Sequence, residues 1–171
     1  MIALAAGLSV VLLHASTKQP QNPRIATGSF ASALRSPHGG AASAVAFSPA
    51  AKILAVGSDA VLPSGNEHVS GVQTSLWNTT TGTIVGTLID PNTMGVDAMA
   101  FAPDGATLAV DDSNGRVYLW NIATKTLTAT LTPPGNPQII FAVDLTPGGT
   151  TLAGGDGDGN TYLWKITYHG S

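Results

Sequence analysis

At 171 residues the chain has the length for a real core, yet only 10% of it is charged, well under the usual quarter or so. A net charge of −3 and seven scattered Lys and Arg exclude a nucleic-acid surface, which needs clustered basic residues. The absence of cysteine excludes thiol catalysis, Cys-based zinc sites and disulfide stapling, and leaves the redox compartment open. Glu67 is the only glutamate, and Gly, Thr, Val and Ala abound. Such a composition disfavours long surface helices and favours strands joined by tight turns, so the expected class is all-β.

Residues 1–15 (MIALAAGLSVVLLHA) are apolar except for Ser9 and His14. The run is short of the ~20 residues a membrane-spanning helix needs, and no Lys or Arg precedes it as a secretory signal would require. It reads as a signal peptide or as part of a membrane anchor; a buried element of the domain is the alternative. Export or anchoring is the expected localisation, a cytoplasmic one the other. Residues 16–35 open with STKQPQNP, a polar, proline-bearing linker, and 24–34 offer a weak outer strand through Ile25, Phe30 and Leu34.

From residue 36 one phrase recurs: a strand, a turn, a strand, a hairpin, and a strand ending in Leu-Trp. Its copies occupy about 36–90, 91–133 and 134–171. The expected strands are 44–47, 53–56, 73–77 and 83–88; then 96–101, 107–110, 116–120 and 126–131; then 139–145, 151–153 and 160–164. Trp77, Trp120 and Trp164 stand 43 and 44 residues apart. Phe101 to Trp120 and Leu145 to Trp164 both span 19 residues, whereas Phe47 to Trp77 spans 30, so an 11-residue insert lies within 59–71. A period of ~40–45 residues with four strands per unit is the signature of a β-propeller blade. On the strand 116–120, Arg116, Tyr118 and Trp120 face one way and Val117 and Leu119 the other. Both faces are bulky, as in a sheet held between two neighbours.

The motifs Phe47-Ser48-Pro49, Phe101-Ala102-Pro103-Asp104-Gly105 and Leu145-Thr146-Pro147-Gly148-Gly149, with Leu76-Trp77-Asn78, Leu119-Trp120-Asn121 and Leu163-Trp164-Lys165, resemble WD40 repeats. The resemblance covers residues 36–171 and is similar to bacterial WD40 propellers that follow a membrane segment. It implies about three blades of four-stranded antiparallel sheet, and it makes Phe47, Pro49, Trp77, Phe101, Pro103, Asp104, Gly105, Trp120, Leu145, Pro147 and Trp164 structural repeat positions. The family's Trp-Asp is here Trp-Asn twice and Trp-Lys once. Its Gly-His is approximated only by His38, with Asn92 and Asn136 at the corresponding places. Its buried His–Asp–Ser–Trp network is therefore expected to be incomplete in every repeat, leaving apolar packing to hold the blades. Closed propellers have 4–8 blades, so three expose an apolar face at each end. The favoured expectation is a fragment of a longer propeller; copies that associate to close a ring, or an open arc, are the others.

Candidate chemistry mostly dissolves into the repeat. The run 154–160 (GGDGDGN) fails as an EF-hand, with Thr161 and Thr167 at the sixth and twelfth positions from Asp156, and fails as a dinucleotide loop for want of a third glycine. It reads as the hairpin of its blade. His14, His38, His68 and His169 lack metal-ligand spacing, and no Gly-x-Ser-x-Gly elbow is present. Asn78-Thr79-Thr80 fits a glycosylation acceptor but aligns with Asn121 as a turn. The insert, with Glu67 and His68, is surplus to the repeat and is the candidate partner contact. The resulting expectation is a non-enzymatic scaffold for protein–protein interaction, with no cofactor, no metal and no nucleic acid. The alternatives are the sensor or regulatory part of a larger membrane kinase or other enzyme, and a small-ligand-binding propeller.

Overall fold

A computed structural model describes residues 27–35, 41–58, 73–91, 95–135 and 138–168. The chain divides into two units, residues 1–33 and 34–171. In the first, 27–33 run exposed without helix or strand. The outer strand expected over 24–34 is thus not formed in its described part. Phe30 and Leu34 stand alone among small residues, with no alternation that would give a strand one face to bury. No helix among the described residues is long and apolar enough to cross a membrane. The apolar segment 1–15 lies outside the described residues.

The described residues of the second unit form three antiparallel sheets, taken in chain order. Sheet 1 holds β1 (Ala42–Phe47), β2 (Ile53–Ser58), β3 (Gln73–Asn78) and β4 (Thr83–Ile89) in chain order. Sheet 2 holds β5 (Met99–Phe101), β6 (Thr107–Asp112), β7 (Arg116–Asn121) and β8 (Thr126–Leu131), again in order. Sheet 3 has, among the described residues, β9 (Ile140–Leu145), β10 (Thr151–Asp156) and β11 (Thr161–Lys165). The described residues 166–168 form no further strand, although Ile166 N donates to Thr150 O at 2.9 Å. β5 is also shorter than the six-residue strand expected at 96–101. Backbone there turns instead toward Asp111, whose carboxylate accepts the amides of Asp97 (2.9 Å) and Ala98.

Register shows why the phrase repeats. Residues directly opposite in an antiparallel pair share a face. One face of sheet 1 therefore carries the row Phe47–Leu54–Trp77–Ile84, and the other the row Ala46–Ala55–Leu76–Gly86. Sheet 2 repeats both, as Phe101–Leu108–Trp120–Leu127 and Ala100–Ala109–Leu119–Ala129. Sheet 3 repeats them as Leu145–Leu152–Trp164 and Asp144–Ala153–Leu163. The bulky row of one sheet meets the small-and-leucine row of the sheet before it. Ala55, Leu76 and Leu88 of sheet 1 thus bury against Leu108, Val110, Tyr118 and Trp120 of sheet 2. Ala109, Val117 and Leu119 of sheet 2 bury against Ile140, Leu145 and Leu152 of sheet 3. Each fully buried Leu or Val contributes ~1.5–3 kcal/mol, so these two seams hold the stack. Small residues let the sheets approach closely: a Cβ built on Gly57 would lie 2.7 Å from Val96 and 2.8 Å from Met99.

Candidate functional site

The turns come first, since they fix which side chains reach the surface. After the first strand of each sheet, one bond pattern recurs: Ser48 N to Ile53 O (2.9 Å), Ala102 N to Thr107 O (2.8 Å) and Thr146 N to Thr151 O (2.9 Å). Gly105 and Gly149 close the second and third of these turns at φ +70° and +69°, which only glycine adopts without strain. Pro49, Pro103 and Pro147 are exposed on these turns, and the exposed Asp104 accepts the Ala106 amide at 2.9 Å. The Trp-Asn dipeptides are turn devices: Asn78 Oδ1 accepts the amides of Thr80 (2.8 Å) and Thr81 (3.1 Å), and Asn121 Oδ1 accepts that of Thr124 (3.0 Å).

The run 154–160 forms the end of β10 and its hairpin to β11. Asp156 accepts four donors within it: the amides of Asp158 (3.0 Å) and Asn160 (2.8 Å), Asn160 Nδ2 (2.9 Å) and the Tyr162 hydroxyl (2.9 Å). The Asn160 side chain, ahead of the others, holds the Asp156 carboxyl below its ordinary value. Asp112 plays the same part in sheet 2, where its Oδ1 accepts the amides of Asn114 and Arg116, both at 3.0 Å. These aspartates have spent their acceptor capacity on the hairpins.

Two other aspartates are buried, Asp90 beside the Trp120 indole and Asp111 on the face of β6 that also carries Ala109, opposite Val117. Trp120 Nε1 donates to Asp90 Oδ1 at 2.9 Å, and Tyr118 donates its hydroxyl to the Pro91 carbonyl at 3.2 Å. Burial pushes the Asp90 carboxyl up to about 7, against the lowering effect of the Trp120 bond and with help from the charge of Asp112. Asp111 is likewise pushed up to about 7 by burial, against the two backbone amides it accepts. Each keeps one oxygen, Oδ2, without a partner among the described residues. The expectation concerned the full His–Asp–Ser–Trp network; in the second repeat the indole has a carboxylate acceptor, Asp90. Trp77 is buried too, but its Nε1 has no acceptor among the described residues. Trp164 is half-buried and stacks at a tilt on Tyr162, ring centroids 5.8 Å apart.

The surface features that can recognise another molecule are the two outermost sheet faces. Phe47 and Val45, in the bulky rows of sheet 1, are 70% and 61% exposed, whereas Leu145 in the Phe47 position of sheet 3 is 8% exposed. Leu163, in the small-and-leucine row of sheet 3, is 70% exposed; its counterparts Leu76 and Leu119 are at 1% and 4%. Two shallow clefts of about 290 and 230 Å³ flank Tyr168 beside sheets 2 and 3, below the size of typical ligand pockets. Among the described residues no cluster of His, Asp and Glu could hold a metal ion. Glu67 and His68, with the rest of the insert, lie outside the described residues. Sequence reading singled out Phe47 as a repeat position but missed Val45, Leu163, Asp90 and Asp111. The signal for the first two lay in their phase, since each occupies a position whose equivalents are buried elsewhere in the chain.

The family model "WD domain, G-beta repeat" matches residues 82–121 and 125–165. No curated protein matches the chain. Each matched unit begins at the outer strand of one sheet (β4 or β8) and ends with the third strand of the next (β7 or β11), so a repeat ties two neighbouring sheets together. The strands β1–β3 have the same phase but carry the insert, and fall outside the matched residues. Matched units, register and the shared turn bonds agree, and residues 82–165 belong to the WD40-repeat family.

Proposed function

We propose that the chain is a non-catalytic scaffold that binds protein partners, held at or exported across a membrane by residues 1–15. The observation that carries the reading is the set of large apolar side chains, Val45, Phe47 and Leu163, displayed on a WD40 sheet stack at positions the repeat otherwise buries. Exposed apolar groups of this kind are a recurrent mark of protein-binding surfaces. The insert 59–71 is a second contact in this reading, supported by its being surplus to the repeat. Its Glu67 and His68 add polar specificity to an otherwise weakly charged chain.

The test is site-specific photo-crosslinking in cells, with the crosslinking residue placed at Glu67, at Phe47 and, as a control on a polar turn, at Thr124. Discrete adducts to one or a few proteins are expected from Glu67 or Phe47 and none from Thr124. Equal labelling from all three positions would contradict the reading. Deleting residues 1–15 is expected to release the protein from the membrane or extracytoplasmic fraction, and an unchanged distribution would remove the tethering part alone.

A further inference from the structure

We infer that the cleft between the first turns of sheets 2 and 3 is a subsite for one arginine side chain of a protein partner, held between the Tyr168 ring and the Asp104 carboxylate. The inference rests on the scaffold reading only in taking the partner to be a protein. It uses none of the apolar side chains on which that reading is built.

The cleft exists because the second junction departs from the first. Between sheets 1 and 2 the corresponding turns touch: a Cβ built on Gly105 would lie 2.6 Å from Ser48 Oγ and 2.8 Å from Ala50 Cβ. A Cβ on Gly149, the same position one sheet on, would meet nothing closer than Pro103 Cδ and the Tyr168 hydroxyl, both at 3.4 Å. Tyr168 is itself a departure. It stands four residues after Trp164, where the first two repeats place Thr81 and Thr124 after Trp77 and Trp120. Its hydroxyl donates to the Gly149 carbonyl at 3.0 Å, which pins the ring in the gap while 47% of the residue stays exposed. Pro103, Asp104, Pro147 and the ring then line a space of about 230 Å³.

Size and charge select the occupant. The space is below the ~300–1,000 Å³ of small-molecule pockets and suits a single side chain. Asp104 is the one charged residue among those that line it, with no Lys or Arg beside it there. Its Oδ1 accepts the Ala106 amide at 2.9 Å, so the carboxylate is held in place by its own turn. Burial, and after it the charge of Asp104, hold the Tyr168 hydroxyl above its ordinary value, so the carboxylate acts over the ring itself. A carboxylate beside an aromatic face selects a cation. Arginine fits better than lysine, because its planar guanidinium stacks on the ring while its N–H fork meets the carboxylate.

The test uses the full-length protein with fluorotyrosine in place of its three tyrosines, read by fluorine NMR. The probes are two Gly-Ser peptides at millimolar concentration, one with a central arginine and one with citrulline, its uncharged isostere. The arginine peptide is expected to shift the Tyr168 resonance and to leave those of Tyr118 and Tyr162 in place. The citrulline peptide is expected to shift none. Asp104→Asn keeps the oxygen that accepts the Ala106 amide and removes only the charge. It is expected to weaken binding of the arginine peptide roughly fivefold or more, with unmoved Tyr118 and Tyr162 resonances showing that the fold is kept. No shift at Tyr168, equal shifts from both peptides, or equal binding by Asp104→Asn would each overturn the inference. None of these outcomes bears on the crosslinking from Glu67 and Phe47, so the subsite and the scaffold reading stand or fall separately.

Discussion

Asp90 accepts the Trp120 indole while burial holds its carboxyl at about 7, so this one side chain both anchors the second repeat and makes it sensitive to pH. The ordinary value is 3.8, and the folded-state value is raised. The folded protein therefore binds a proton that the unfolded chain releases, and stability rises as pH falls from about 7 towards about 4. Each such group contributes a slope of about 1.4 kcal/mol per pH unit in that window. Asp111 acts in the same direction. Asp156, whose value is lowered, works in the opposite direction and takes effect at more acid pH. Asp90→Asn keeps an oxygen for Trp120 and removes the charge; urea unfolding at pH 8 and pH 5 should show higher stability at pH 8 and a flatter pH profile. An unchanged profile would mean that Asp90 is solvated in the folded protein. Trp120→Phe leaves the Asp90 oxygen unpaired in the seam and is expected to cost about 1–3 kcal/mol in the same measurement. Nothing in the spacing of the repeat announced Asp90. It lies just beyond the end of β4, and only the packing of two sheets brings it to an indole 30 residues away.

At the scale of strands and turns the sequence was largely legible, because register, turn chemistry and burial all follow the same period. The alternation Arg116–Tyr118–Trp120 against Val117–Leu119 correctly assigned the two faces of β7, with Tyr118 and Trp120 in one seam and Val117 and Leu119 in the other. Two things escaped it. Gly57 in β2 is small because Val96 and Met99 press on it, which no local pattern shows. The short first strand of sheet 2 depends on a side-chain bond from Asp111 that no local pattern reveals. Gly57→Val should therefore overpack the first seam and destabilise by about 1–3 kcal/mol, read from the denaturant midpoint. Gly105→Ala combines a positive φ with a Cβ placed 2.6 Å from Ser48 Oγ and 2.8 Å from Ala50 Cβ, and should cost at least as much. Gly135, also at positive φ but with open space around it, should cost less on the same substitution. Equal costs at 105 and 135 would show that the turn-on-turn contact contributes nothing.

For the whole molecule, the repeat that explains the core also explains its two ends. The middle sheet buries residues of both rows; on the first sheet Val45 and Phe47 stand exposed although Trp77 of the same row is buried, and on the last Leu163 stands exposed. Their equivalents are core residues, which is why the functional reading rests on them instead of on a pocket or a titratable pair. The sequence placed Phe47 and Leu163 in the repeat but not on an exposed face, because that needs the register of each strand. The most direct measurement is photo-crosslinking in cells from position 163, whose leucine side chain is 70% exposed in the single chain, compared with the polar turn position 124. The account predicts discrete adducts to one or a few proteins from position 163 and none from position 124. Equal labelling from the two positions would contradict it.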